Sequence, residues 1–161
     1  MYIRDYLQSQ HVWFEMFLQR PAATASRRAQ SIHLPGRQVA KGVLVKAGDR
    51  SLLAVLPATT RIDLERLSQV LDNLPVRVAT EQEVERVFAD CERGAIPPFG
   101  TLYGLTTVLD RRLAAGPEFI CVGNQRHEGL RLRLADYEAI ERPLLACFAV
   151  SHEPAPRRRA G

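Results

Sequence analysis

The stretch QVAKGVLVKAGDRSLLAVLP, residues 38–57, constrains the fold more than any other part of the chain. Two apolar runs flank Gly48-Asp49, a dipeptide suited to a tight hairpin turn, so residues 38–47 and 51–57 are expected to pair as antiparallel strands. In the first strand Val39, Val43 and Val45 share one face, and Ala40, Gly42 and Leu44 the other. Both faces are apolar up to the turn, as in a strand covered on both sides. A hairpin of this kind requires layers of structure above and below it.

Those layers are supplied by mixed elements. A short helix is expected over the first ten residues, a strand over 11–18, and a Thr24-capped helix over 25–31. Asp63 suits the cap of a helix bearing Leu64, Leu67, Val70 and Leu71. PVRVA reads as a short strand. Thr80 with Glu83 is a capping box ahead of Val84, Val87 and Phe88. A long loop over 90–104 leads into the strand LTTVLD, and Asp110 opens a helical turn ended by Gly116-Pro117. EFICVG and LRLRL are strands around the turn NQRHEG. Asp136 is expected to cap a helix reaching about Glu141, and LLACFAV to form a last strand. Hairpins outnumber strict strand–helix–strand units, which points to an α+β domain: a mixed, strongly curved sheet or partial β-barrel with helices packed outside. One domain over 1–151 and a basic flexible tail over 152–161 are expected.

Several function classes are excluded by what the chain lacks. No apolar run approaches the ~18–20 residues that span a bilayer, and the first residues do not read as a secretory signal, so a cytoplasmic address without membrane association is expected. Cys91, Cys121 and Cys147 stand about 30 residues apart with no CxxC pair, so neither zinc nor a disulfide framework is indicated. No phosphate-loop or dinucleotide signature is present, and no cofactor is expected. The net charge is +4. Three of those positives belong to Arg157, Arg158 and Arg159, which leaves the body close to neutral.

Three features carry chemistry. The first is Lys41, one of only two lysines, beside Lys46, in a chain whose other basic residues are all arginine. Lysine is a compact point charge, whereas arginine is a planar fork. Lys46 sits by the turn and can reach water. Lys41 sits mid-strand, where an ammonium needs a partner or a polar pocket; a structural ion pair and a ligand pocket both satisfy that need. The second is GAIPPFG, Gly94 to Gly100. Its prolines fix the backbone, and Phe99, Gly100 and Thr101 are candidate N–H donors to a ligand oxygen. The alternative is a structural crossover loop. The third is Gly123-Asn124-Gln125-Arg126-His127 after an apolar strand, suited to a substrate-edge loop or to a solvated hairpin turn. A Cys121–His127–Asp110 nucleophile arrangement can be drawn, with nothing specific to support it.

TASRRAQSIHLPGRQVAKGVLVK, LLAVLPATTRIDLERL, DCERGAIPPFGTLYGLTTVLD and FICVGNQRHEGLRLRLADYEAI together resemble the YbaK family, free-standing relatives of the editing domain of bacterial prolyl-tRNA synthetases. The resemblance covers roughly residues 12–150. It implies a trans-editing hydrolase that cleaves the ester between a wrong amino acid and the terminal adenosine of a tRNA. The family lysine falls on Lys41, assigned the catalytic role. Substrate binding falls on Gly100, Gly123, Asn124 and His127. The implied partners are the 3′ end of a mischarged tRNA and an aminoacyl-tRNA synthetase, with no metal. Such domains need no protein nucleophile, since water, a ribose hydroxyl or a substrate thiol attacks. Two positions depart from the family pattern: Arg20 stands where a histidine is frequent, and Gly42 where Thr or Ser commonly follows the lysine. A non-catalytic module that holds tRNA ends or a small ligand is the alternative.

The arginine tail generates the first prediction. Deleting residues 153–161 should weaken tRNA binding and flatten its salt dependence, because each phosphate contact on a single strand contributes a slope of about −0.7. Titrations of the full-length and shortened proteins at several salt concentrations measure it.

Overall fold

The structure, a computed structural model, describes residues 1–20 and 38–151. The expected helix over 25–31 and the tail from 152 lie outside the described residues. Within them the elements are α1 (Ile3–Ser9), β1 (Phe14–Leu18), β2 (Ala40–Ala47), β3 (Arg50–Pro57), β4 (Thr60–Ile62), α2 (Leu64–Val70), β5 (Val76–Val78), α3 (Glu81–Val87), β6 (Thr106–Asp110), β7 (Glu118–Val122), β8 (Glu128–Arg133), α4 (Leu134–Glu141), β9 (Leu144–Ala146) and β10 (Ala149–Ser151). Single 3-10 turns occupy Gly100–Tyr103 and Leu113–Ala115.

The class is mixed α+β, as expected. Strand pairing divides among three sheets and closes no barrel among the described residues. A five-stranded sheet runs β5-β2-β3-β6-β9, a three-stranded one β1-β8-β7, and β10 pairs β4. β2 and β3 form the antiparallel hairpin, with Lys41 opposite Leu56 and Gly42 opposite Val55. Gly48 takes φ +58° at its turn, a left-handed conformation that costs glycine little. β3–β6 and β6–β9 are parallel. A lone parallel bridge, Val39 to Ile120, connects the entry of β2 to β7.

Apolar residues on both faces of the hairpin have separate destinations. Ala40, Leu44, Leu53 and Val55 join a core with Ile3, Leu7, Phe99, Phe119 and Tyr137. Val45, Leu52, Ala54 and Leu56 join a second core with Leu67, Leu71, Val108 and Phe148. Each fully buried leucine contributes roughly 1.5–3 kcal/mol, so neither face can be left uncovered.

The helix starts follow local chemistry. Asp63 Oδ1 accepts the Arg66 N–H at 3.1 Å. Thr80 and Glu83 form the complete capping box. Arg77, with Thr80, holds the Glu83 carboxyl down to about 2. Asp136 differs from expectation: α4 begins after Arg133, and Asp136 falls within its first turn, where the helix dipole favours an acid, instead of at the cap.

LLACFAV is not one strand but two, in different sheets. Asp110, only 1% exposed, makes the break. Its Oδ2 accepts the Phe148 N–H at 2.9 Å and the Ala149 N–H at 2.7 Å, while Oδ1 accepts the Arg112 N–H at 2.9 Å. Those backbone groups point at a side chain instead of a ladder, so β9 stops and β10 turns to pair with β4. Asp110→Ala would leave buried donors unmatched at about 1–3 kcal/mol each. A loss of at least about 3 kcal/mol in urea unfolding is expected, with a smaller loss for Asp110→Asn.

Candidate functional site

The loop after α3 and the turn between β7 and β8 are stitched together. The Glu92 N–H donates to the Asn124 carbonyl at 2.7 Å. The Arg126 N–H donates to Glu92 Oε2 at 2.8 Å. Asn124 is 1% exposed, and its Oδ1 accepts the Ile3 N–H from the start of α1 at 2.8 Å. Three chain segments therefore meet on one asparagine, through its main chain and its side chain. Around them lies a cleft of about 870 Å³ whose lining includes Ala79, Val84, Phe88, Gly94, Ile96 and Arg126.

β2 lies behind this cleft, where the lining residue Ile96 packs on Gly42. Its second half pairs with β5 over Val45–Ala47, but its first half does not. The bridge at Val39–Ile120 directs the two chains in parallel, so Lys41 and Gly42 run toward the same end as Val122 and Gly123. Gly42 faces the first core, where Ile96 covers it, and Lys41 therefore faces the opposite side. Lys41 is half-buried, and its ammonium makes no hydrogen bond or ion pair among the described residues. Burial pushes its pKa below the usual 10.5. Lys46 contrasts with it: Nζ donates to Ser51 Oγ at 2.6 Å and lies 3.7 Å from Glu83 Oε2. Lys46 is thus engaged in a structural network instead of simply reaching water.

The second half of GAIPPFG is committed to the fold. The Phe99 N–H bonds the Pro97 carbonyl at 2.8 Å. The Gly100 N–H bonds Thr107 Oγ1 at 3.2 Å, and the Thr101 N–H bonds the Glu141 carboxyl at 3.2 and 3.3 Å. All three expected donors are occupied. Tyr137 Oη donates to the Pro98 carbonyl at 2.6 Å, and Phe99 packs edge-on against Tyr137 and Tyr6. Glu141 also accepts the Thr107 hydroxyl at 2.6 Å, and burial raises its carboxyl pKa. The first half of the loop is different. The N–H groups of Gly94 and Ile96 have no hydrogen-bond partner among the described residues, and both residues line the cleft. Gly94 adopts φ +86°. Sequence reasoning missed these donors because the prolines drew attention to the residues after them; the glycine opening the run was the available signal.

The remaining predicted residues separate. Gly123 is buried, and its N–H donates to the Glu128 carbonyl at 3.1 Å across the hairpin. A Cβ on Gly123 would meet Glu128 Cβ at 3.2 Å. Asn124 holds the framework. His127 is exposed, and its carbonyl accepts the Gln19 N–H at 2.9 Å. The drawn nucleophile set does not assemble: Cys121 is fully buried, the Asp110 carboxylate is taken by backbone, and His127 stands on the surface turn. Cys91 stays a thiol, pushed up to about 11 by burial. The described residues contain no cluster of metal-ligating side chains and no helix long and apolar enough to cross a membrane.

The mixed sheets thus carry a lysine on the central hairpin and, beyond the other face of that strand, a cleft lined by charged side chains and by two backbone N–H groups unbonded among the described residues. The family is given by comparison: the model of the aminoacyl-tRNA editing domain matches residues 19–140, and the chain belongs to that family, the one the YbaK resemblance implied. Comparison with curated proteins finds no match. Among solved structures, the hypothetical protein APE2540 superposes with a TM-score of 0.83 at 17% identity, covering 92% of this chain and 99% of that one. A candidate trans-editing enzyme for prolyl tRNA synthetase gives 0.79 at 22% identity, covering 92% and 95%. A candidate signal transduction protein from Marinobacter aquaeolei VT8 gives 0.72 at 20% identity, with 92% of this chain matched to 30% of that one. At these identities the likeness concerns the fold.

Gly100 supplies a test of the loop's two halves. A Cβ on it would overlap Thr107 Oγ1 and lie 3.2 Å from the Leu105 carbonyl oxygen. Gly100→Ala should lower the melting temperature by several degrees, with any loss of ligand binding following the loss of folded protein. Calorimetric melting beside binding at a temperature where the variant is folded measures both.

Proposed function

We propose that the protein is a trans-editing aminoacyl-tRNA deacylase, hydrolysing the ester of a mischarged tRNA. The observation that carries this reading is the half-buried Lys41 ammonium, unpaired among the described residues, on a domain of the editing family. A charge kept partly out of water without a partner is costly, and a ligand anion would offset that cost. In the proposed mechanism Lys41, on the face of β2 away from Ile96, holds the 3′ end by its charge. The N–H groups of Gly94 and Ile96 receive the oxyanion, a donor of this kind being typically worth ~3–4 kcal/mol in the transition state. Water attacks the ester carbon, the bond to the ribose oxygen breaks, and a proton from the water ends on that oxygen, so free amino acid and tRNA are released. Asn124 and Gly123 shape the wall, His127 contacts the ribose from the exposed turn, and Gly100 anchors the loop. The partners would be mischarged tRNA and a synthetase that releases it.

Lys41→Ala should lower kcat/KM for deacylation at least a hundredfold with near-normal melting, while Lys46→Ala leaves the rate within about threefold. The charged form of Lys41 is the active one. Its pKa lies below 10.5, so the enzyme-catalysed rate should fall as pH rises, starting short of the ordinary lysine range. Lys41→Arg cannot lose its proton near these pH values and should abolish that alkaline fall. Background-corrected single-turnover assays across a panel of mischarged tRNAs provide the measurement. Tight binding without turnover in the wild type would favour the non-catalytic module.

A further inference from the structure

One contact sets the floor of the cleft. Gly42 has no Cβ, and a Cβ built there would lie 3.0 Å from Ile96 Cγ2, 3.3 Å from the Ile96 carbonyl oxygen and 3.3 Å from Leu53 Cδ1. Leu53 is fully buried in the first core. Gly42 does not have a positive φ, so its backbone would accept any residue. What glycine provides at this position is room, and Ile96 fills that room. Ile96 is half-buried: one flank rests on β2, and the residue lines the cleft. Its branched Cβ restricts χ1, so the surface it presents is stiff. The Tyr137 hydroxyl on the Pro98 carbonyl and the engaged Gly100 and Thr101 N–H groups hold the chain just beyond it.

We infer that the Gly42–Ile96 pair is the specificity-determining element of this site: Ile96, seated on Gly42, limits the length of the aminoacyl side chain that the cleft admits. The inference rests on the deacylase reading for its substrate class, the aminoacyl ester of a terminal adenosine. Depth is an economical discriminator here. Attraction distinguishes one methylene by only ~10–200-fold, whereas a stiff floor excludes what is too long. Lys41, on the other face of β2, is unaffected by such a change, so size selection and charge recognition are separate functions of adjacent residues.

The test uses the full-length protein and non-hydrolysable 3′-aminoacylamino-adenosines carrying glycyl, alanyl, valyl, leucyl and phenylalanyl groups, with deacylation of the matching tRNAs measured in parallel. Ile96→Ala should raise affinity for the leucyl and phenylalanyl analogues, relative to alanyl, at least tenfold. Gly42→Ala should push Ile96 into the cleft and weaken the longest analogue that the wild type accepts at least tenfold. The double variant should relieve that loss, which a merely destabilised fold would not do. If Gly42→Ala does not fold, the Ile96→Ala profile decides alone. An unchanged size profile in Ile96→Ala, or a wild type that binds none of the analogues, overturns the inference. A wild type that hydrolyses the tRNAs while the Ile96→Ala profile stays flat refutes the floor and keeps the deacylase. Analogue binding that shifts as expected, with no hydrolysis by the wild type, refutes the deacylase and keeps the floor.

Discussion

Burial of the β2–β3 hairpin on both faces is the constraint from which the rest of the fold follows. Leu44 and Leu53 face one core, Val45 and Leu56 the other. A two-layer arrangement would leave one of these sets in water. The chain therefore places α1, α4 and the 99–103 segment on one side, and α2 with the β9–β10 corner on the other. Lys41 and Gly42 are neighbours on this strand, and the alternation that divides the two cores also separates them. The Lys41 ammonium and the contact of Ile96 on Gly42 consequently lie on opposite faces of one strand.

Buried polar side chains in this protein join segments instead of performing chemistry. Asp110 gathers three backbone N–H groups where β9 ends and β10 begins. Glu141 collects the Thr101 N–H and the Thr107 hydroxyl beneath the proline loop. Asn124 links α1 to the 91–92 segment and the β7–β8 turn. Each replaces a missing ladder bond at a place where the chain changes direction, and each buried donor or acceptor would otherwise cost about 1–3 kcal/mol. The Asn124 joint holds the loop after α3 against the β7–β8 turn beside the cleft, where the Gly94 and Ile96 N–H groups have no partner among the described residues.

Local chemistry was legible in the sequence. The Asp63 cap, the Thr80–Glu83 box and the Gly48 turn each depend on residues within four positions, and all are present in the structure. What escaped was set by distant partners. Thr60–Ile62 becomes a strand only because β10 lies beside it. LLACFAV divides because Asp110, 38 and 39 residues before Phe148 and Ala149, captures their N–H groups. The Gly100 donor is absent because Thr107 and Glu141 fold back on that segment. For the site, the loop after α3 and the 123–127 turn, both singled out in the sequence, meet through Glu92, Asn124 and Arg126. Which peptide groups there stay unbonded could not be read from the sequence, since that is a property of the packed whole.

The hydrogen bond from the Ile3 N–H to Asn124 makes the amino-terminal helix a part of the cleft wall. Ile3 and Leu7 are fully buried, and the Met1 ammonium lies 3.6 Å from Asp90. The editing-domain match, however, begins at residue 19. A shortened protein cut to that boundary would expose the sockets that Ile3 and Leu7 fill and would leave Asn124 Oδ1 without the Ile3 N–H. Where similarity begins and where the cooperative unit begins are different positions in this chain, and its first nine residues belong to the unit that must fold together.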